Sequence, residues 1–98
     1  EERQKVISMI ENGELIPDSS GIIQLPSNLK YLSKGGGQVI VDKNDGTLKV
    51  LFFTLRGVLD SCSGWEYRSE GEPNRTDFIL DIHTSKKMKD NWFYINSY

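Results

Sequence analysis

Apolar and polar positions fall into their clearest pattern between Gly35 and Gly57, where the chain reads GGGQVIVDKNDGTLKVLFFTLRG. Two runs, Gln38–Asp42 and Thr47–Leu55, flank Lys43-Asn44-Asp45-Gly46. Asp-Gly favours a hairpin turn because both positions tolerate positive φ. A two-residue Asp45-Gly46 loop sets Asp42 opposite Lys49, Val41 opposite Val50, Ile40 opposite Leu51 and Val39 opposite Phe52. A three-residue loop would instead set Asp42 against Leu48. The first register matches charge with charge and apolar with apolar, so it is the one expected. On the second arm, Leu48, Val50 and Phe52 share one face and Leu51, Phe53 and Leu55 the other. A strand apolar on both faces is central and covered on both sides, or has an outer face awaiting a partner.

Ahead of the hairpin, residues 1–12 read as a helix. Val6, Met9 and Ile10 recur at i, i+3 and i+4 beside Ile7, while Arg3, Gln4, Ser8 and Glu11 take the other face. Glu1 and Glu2 suit the positive end of the helix dipole, and Gly13 is placed to end the helix. Three turns do not persist alone in water, so this helix must pack on something. Residues 14–37 are mostly connection: a turn at Pro17–Gly21, a short strand at Ile22–Leu25, and a brief second helix after Pro26 with Leu29 and Leu32 on one side. Gly35-Gly36-Gly37 lacks the flanking residues of a phosphate-binding loop and reads as a flexible turn.

Beyond the hairpin, Val58–Ser63 reads as a loop and Trp65-Glu66-Tyr67-Arg68 as a half-buried strand. Glu70–Arg75 is a polar turn, and Asp77–His83 alternates again. Thr84–Asp90 reads as a Lys-rich connection. Asn91–Tyr98 is a last aromatic strand, with Trp92, Tyr94 and Tyr98 on one face and Phe93 and Ile95 on the other. The expected fold is therefore α+β: an N-terminal helix and a short second helix packed on an antiparallel meander of about four strands, with residues 1–98 one domain.

Composition narrows the function classes. Hydrophobic residues make up 37% and charged residues 27%, enough to bury a core. A net charge of −2 gives no general attraction to nucleic acid or anionic lipid. A single cysteine excludes an intrachain disulfide without fixing the compartment. The longest uninterrupted apolar run, Val50–Phe53, is far short of a membrane span. Since the chain opens at Glu1 with no initiator Met, a piece of a longer protein is expected, with a leader, anchor helix or further domain beyond it.

Candidate chemistry is sparse. Cys62 and His83 are the only thiol and imidazole, so Cys-His nucleophilic catalysis would have to use this pair, with Asp60 or Asp81 orienting the ring. Cys62 lies in DSCSG, which matches no nucleophile signature. One Cys and one His do not make a zinc site without recruited carboxylates. Asp42, Asn44 and Gly46 are mis-spaced for a calcium loop, and the turn explains them better. No cofactor is expected. Lys86, Lys87 and Lys89 beside Trp92, Phe93 and Tyr94 could face single-stranded nucleic acid, but Asp90 interrupts the patch and the chain is acidic. Asn74-Arg75-Thr76 matches the glycosylation sequon, and Arg56 and Asp60 could pair across a turn. Aromatic residues reach 10% of the chain, and Trp65, Tyr67, Trp92 and Tyr94 are the candidate interaction surface.

The strings LPSNLKYLSKGGGQVIV and LKVLFFTLRGVLDSCSGWEY carry an L-P…L-S-x-G-G segment, a V-x-V strand, a strand ending F-F-x-x-R-G and a G-x-x-Y segment. In this, residues 22–67 resemble uncharacterised small proteins of Gram-positive bacteria that sit outside the membrane behind an N-terminal anchor. The resemblance implies an extracytoplasmic or cell-envelope location and attaches no activity. The expected function is a non-enzymatic protein-interaction domain, meeting the membrane only through such an anchor. The alternatives are a small Cys-His hydrolase or transferase using Cys62 and His83, and a cytosolic regulatory or immunity-type protein.

Overall fold

A computed structural model describes residues 2–34, 36–43, 46–56, 62–71 and 82–97. Helix α1 (Glu2–Glu11) leads, followed by strand β1 (Ile22–Gln24), a 3-10 helix (Ser27–Leu32), β2 (Gln38–Asp42), β3 (Lys49–Arg56), β4 (Cys62–Arg68), β5 (Ile82–Lys89) and β6 (Trp92–Ser97). The strands form one antiparallel sheet in the order β1-β2-β3-β4-β6-β5. The α+β class and the antiparallel sheet are as the pattern predicts, but among the described residues the sheet has six strands rather than about four.

Two corrections account for the difference. β1 is a full member of the sheet, pairing Ile22 with Ile40 and Gln24 with Gln38. The stretch Thr84–Asp90, expected as a connection, supplies β5, which pairs along β6. Residues 84–89 are exposed throughout, as the residues of an edge strand can be. Such a strand has no apolar-polar alternation to betray it. β6 then inserts between β4 and β5, so the meander breaks at its last step. Cys62 and Ser63, expected in a loop, open β4. Of the predicted strand Asp77–His83, only Ile82 and His83 lie within the described residues, as the start of β5.

The central hairpin has the register read from the sequence: Val39 with Phe52, Ile40 with Leu51, Val41 with Val50 and Asp42 with Lys49. Lys49 Nζ lies 3.9 Å from Asp42 Oδ2, so the expected charge pair is made. Pairing stops there, and the Gly46 N–H donates to the Lys43 carbonyl across the turn. Asn44 and Asp45 lie outside the described residues.

β3 is buried on both sides, and each side has its own core. Val50 and Phe52 pack with Val6, Ile7 and Ile10 of α1, Leu29 and Leu32 of the 3-10 helix, and Val39, Val41 and Trp92. Each buried side chain on α1 contributes about 1.5–3 kcal/mol, which holds a ten-residue helix that could not stand alone. The helix ends as expected. Gly13 takes φ +80, its N–H donates to the Ile10 carbonyl, and the Glu14 N–H donates to the Met9 carbonyl. On the opposite face Leu51 and Phe53 join Cys62, Ile82, Phe93 and Ile95, all buried. Of the two readings of a doubly apolar strand, the covered one holds.

Candidate functional site

The site grows from the register of β4 against β6. Trp65 pairs with Tyr94 and Tyr67 with Trp92, and β3 sets Phe52 beside Trp65 and Val50 beside Tyr67. Directly paired residues share a face. All four aromatic residues singled out in the sequence therefore meet on the face that α1 covers. Trp65 and Tyr94 meet edge to face with centroids 5.2 Å apart, and Tyr67 and Trp92 do so at 5.3 Å. Each pair adds about 0.5–1.5 kcal/mol beyond its burial.

Their roles divide by exposure. Trp92 is 4% exposed and forms the floor, tilted against Phe52 at 5.8 Å. Its indole N–H donates to Gln4 Oε1 at 3.1 Å, tying β6 to α1. Trp65, Tyr67 and Tyr94 are half-buried. The Tyr94 hydroxyl shares a 3.0 Å hydrogen bond with Thr54 Oγ1. Burial, reinforced by the Glu11 carboxylate, raises the Tyr67 phenol above its ordinary pKa.

Arg3 completes one wall. Its Nε donates to the Leu32 carbonyl at 3.2 Å, which anchors the side chain. The guanidinium carbon lies 6.0 Å from the Phe52 ring centre and 5.9 Å from that of Trp65, within cation–π range. Between Arg3, Trp65 and Trp92 on one side and Met88 and Lys89 of β5 on the other lies a cleft of about 180 Å³. The β5–β6 register places Lys89 opposite Trp92 and Lys86 opposite Tyr94, so both lysines belong to the aromatic face. Met88 is 47% exposed at the rim.

Sequence pattern grouped Trp65 with Tyr67 and Trp92 with Tyr94, and the fold joins the two groups. Arg3 and Met88 were missed. The polar character of Arg3 assigns it to the outer face of the helix, yet it stands three and four residues before Val6 and Ile7. That spacing puts it on the end of the buried stripe. Met88 was hidden in a stretch read as connection.

Among the described residues, the other candidates are not brought together into a site. Cys62 is buried in the second core, on the face opposite the cleft. His83 falls within β5, but its side chain lies outside the described residues, as do Asp60, Asp81, the side chain of Arg56 and the sequon at 74–76. Among the described residues no three His, Cys, Asp or Glu side chains converge as a metal site would require. Asp42 of the mis-spaced calcium pattern is instead paired with Lys49. The second face also carries a buried ion pair, Arg68 Nη1 to Glu66 Oε2 at 3.3 Å, with the Arg68 Nε donating to the Glu70 carbonyl. It sits in the packed interior.

Two wider, more open clefts lie elsewhere. One, of about 350 Å³, is lined by Lys30, Tyr31, Ser33, Lys34, Gly36 and Gly37. The other, of about 400 Å³, is lined by Glu11, Lys43, Gly46 and Leu48. Neither gathers aromatic walls like those of the first. No helix among the described residues is long and apolar enough to cross a membrane. Comparison with protein-family models, curated proteins and solved structures returns no match to the chain.

Proposed function

We propose that this chain is a non-enzymatic protein-interaction domain and that the cleft between α1, β6 and β5 is where its partner docks. The observation that carries this reading is the size and lining of the cleft. At about 180 Å³ it is smaller than the roughly 300–1,000 Å³ that encloses a cofactor or drug-sized substrate. It suits one anchoring side chain. Trp, Arg and Met are among the residues enriched where proteins bind one another, and here Trp65, Trp92, Arg3 and Met88 line one recess. The aromatic pairs, the Gln4 and Thr54 hydrogen bonds and the anchored Arg3 set the walls in advance, which lowers the ordering cost of binding. Met88, unbranched and half exposed, can adapt to what enters.

Docking by an inserted side chain is favoured over addition of a strand. β1 is only three residues long, and β5 carries Lys86, Lys87 and Lys89 with register shifts at Ile82/Thr84 and Lys87/Lys89. Short, lysine-rich and bulged edges resist pairing with another chain. The resemblance of residues 22–67 to anchored extracytoplasmic proteins supports a partner met outside the membrane. Selection from a random displayed-peptide library tests the reading. Peptides that enrich on the wild-type chain are expected to lose at least tenfold in affinity for Met88→Glu, whose exposed position leaves the fold intact. Failure of any peptide to enrich, or equal binding to the variant, overturns it.

A further inference from the structure

A β-bulge sets one residue of β5 at the mouth of the cleft. Lys87 pairs with Phe93 and Lys89 with Trp92, so Met88 is an extra residue between two neighbouring positions of the ladder. Neighbours on a regular strand point to opposite faces. Here Met88 and Lys89 both line the cleft, and Met88 stays 47% exposed. Bulges re-aim a side chain in this way beside functional sites. The chain holds one cysteine and two methionines, and the other sulfur groups are sheltered. Cys62 is buried in the second core, and Met9 packs partly buried against the first. From this we infer that Met88 is a modification site: a peroxide oxidises its thioether reversibly, and the sulfoxide shuts the cleft to an apolar side chain. This inference rests on the protein-binding reading above and gives the same cleft a redox control.

The step needs only the peroxide. A lone pair on Met88 Sδ attacks one peroxide oxygen, the O–O bond breaks, and an S–O bond forms. The displaced hydroxide takes the proton from the oxygen that sulfur has gained and leaves as water. Sulfur gives up two electrons and the peroxide accepts them. A thiol-dependent methionine sulfoxide reductase returns the thioether, its thiols becoming a disulfide. The sulfoxide oxygen is a hydrogen-bond acceptor that holds water. Beside Trp65 and Trp92 it must lose that water before an apolar group can pack against it, which weakens binding. The fold itself is spared, because Met88 stands on the edge strand and belongs to neither core.

In the test, the ¹⁵N-labelled full chain is treated with dilute hydrogen peroxide, the peroxide is removed, and peptide mass spectrometry reads the sulfoxide at each methionine. Met88 is expected to oxidise several-fold faster than Met9. The Trp65 and Trp92 indole signals should shift while the core amides stay in place. A sulfur-free peptide selected on the reduced chain should then bind about tenfold more weakly, and recover its affinity after treatment with the reductase. In Met88→Leu the affinity, at whatever level it stands, should no longer respond to peroxide. Three results overturn the redox control and leave the docking reading standing: Met9 oxidised as fast as Met88, a peroxide response that persists in Met88→Leu, or binding unchanged by the sulfoxide but lost in Met88→Glu. Binding indifferent both to the sulfoxide and to Met88→Glu overturns both.

Discussion

Gly64 offers the sharpest single-residue test of how β3, β4 and β6 are held. It pairs with Phe53 on one side and Ile95 on the other. A Cβ added there would lie 2.2 Å from the Phe52 carbonyl oxygen, 3.0 Å from its carbon and 3.1 Å from Leu51 Cδ1. The first two contacts are backbone, so no side-chain rotation relieves them. The β3 backbone must retreat by on the order of 1 Å to recover an ordinary separation of about 3.5 Å. Overpacking of this kind costs about 1–3 kcal/mol. Ladder hydrogen bonds strained by the retreat add about 0.5–1.5 kcal/mol. Gly64→Ala is therefore expected to lose about 2–4 kcal/mol from a total of roughly 5–15 kcal/mol typical of such domains. At about 4–8 °C per kcal/mol for a chain of this size, Tm should fall by about 8–32 °C. Thermal unfolding followed by circular dichroism reads it, with Ser85→Ala on the exposed edge strand as a control expected to change by no more than about 0.5 kcal/mol. A Gly64→Ala melting point within 3 °C of wild type, taking ~1 kcal/mol as the smallest loss the clash allows, would refute the reasoning.

Further outcomes follow from individual contacts. Ser33, 2% exposed, donates from Oγ to the Gln38 carbonyl at 2.6 Å and accepts the Phe53 N–H at 2.9 Å. Ser33→Ala should cost about 1–3 kcal/mol and sharply speed hydrogen exchange at the Phe53 amide. Arg68→Met removes a cation 3.3 Å from the fully buried Glu66 carboxylate and should cost about 3–5 kcal/mol in urea unfolding. The Tyr67 phenol is raised above 10.0, so from that pH upward the unfolded chain sheds a proton that the folded chain keeps. Stability should then fall as pH rises past about 10, and tyrosinate absorbance should show a late-titrating fraction that Tyr67→Phe reduces.

What could be read from the sequence depended on whether a segment faces one environment or two. The central hairpin was legible down to its register, because Asp42 and Lys49 mark the turn end and the apolar runs pair in only one way that matches charge. Alternation also placed Trp65 with Tyr67 and Trp92 with Tyr94. What alternation could not supply was the order of strands. Period two fixes the face of a residue, but nothing local says that β6 lies beside β4 with β5 outside it. β5 itself was invisible, since Thr84–Lys89 meets water on both faces and so has no contrast to read. Because Met88 and Lys89 lie on that strand, half of the cleft was hidden with it. The wall from α1 was hidden for another reason: Arg3 lies along the apolar stripe by its stem, while its charge marks it as a surface residue.

The claim that the aromatic cleft is the docking point is tested most directly by a chemical-shift map of the full chain with a peptide selected on it. The account predicts that the largest changes fall on Trp65, Met88, Lys89 and Trp92 and on Arg3 across from them. Changes centred instead on Lys30–Gly37 or on the Glu11, Lys43 and Leu48 cleft would contradict it.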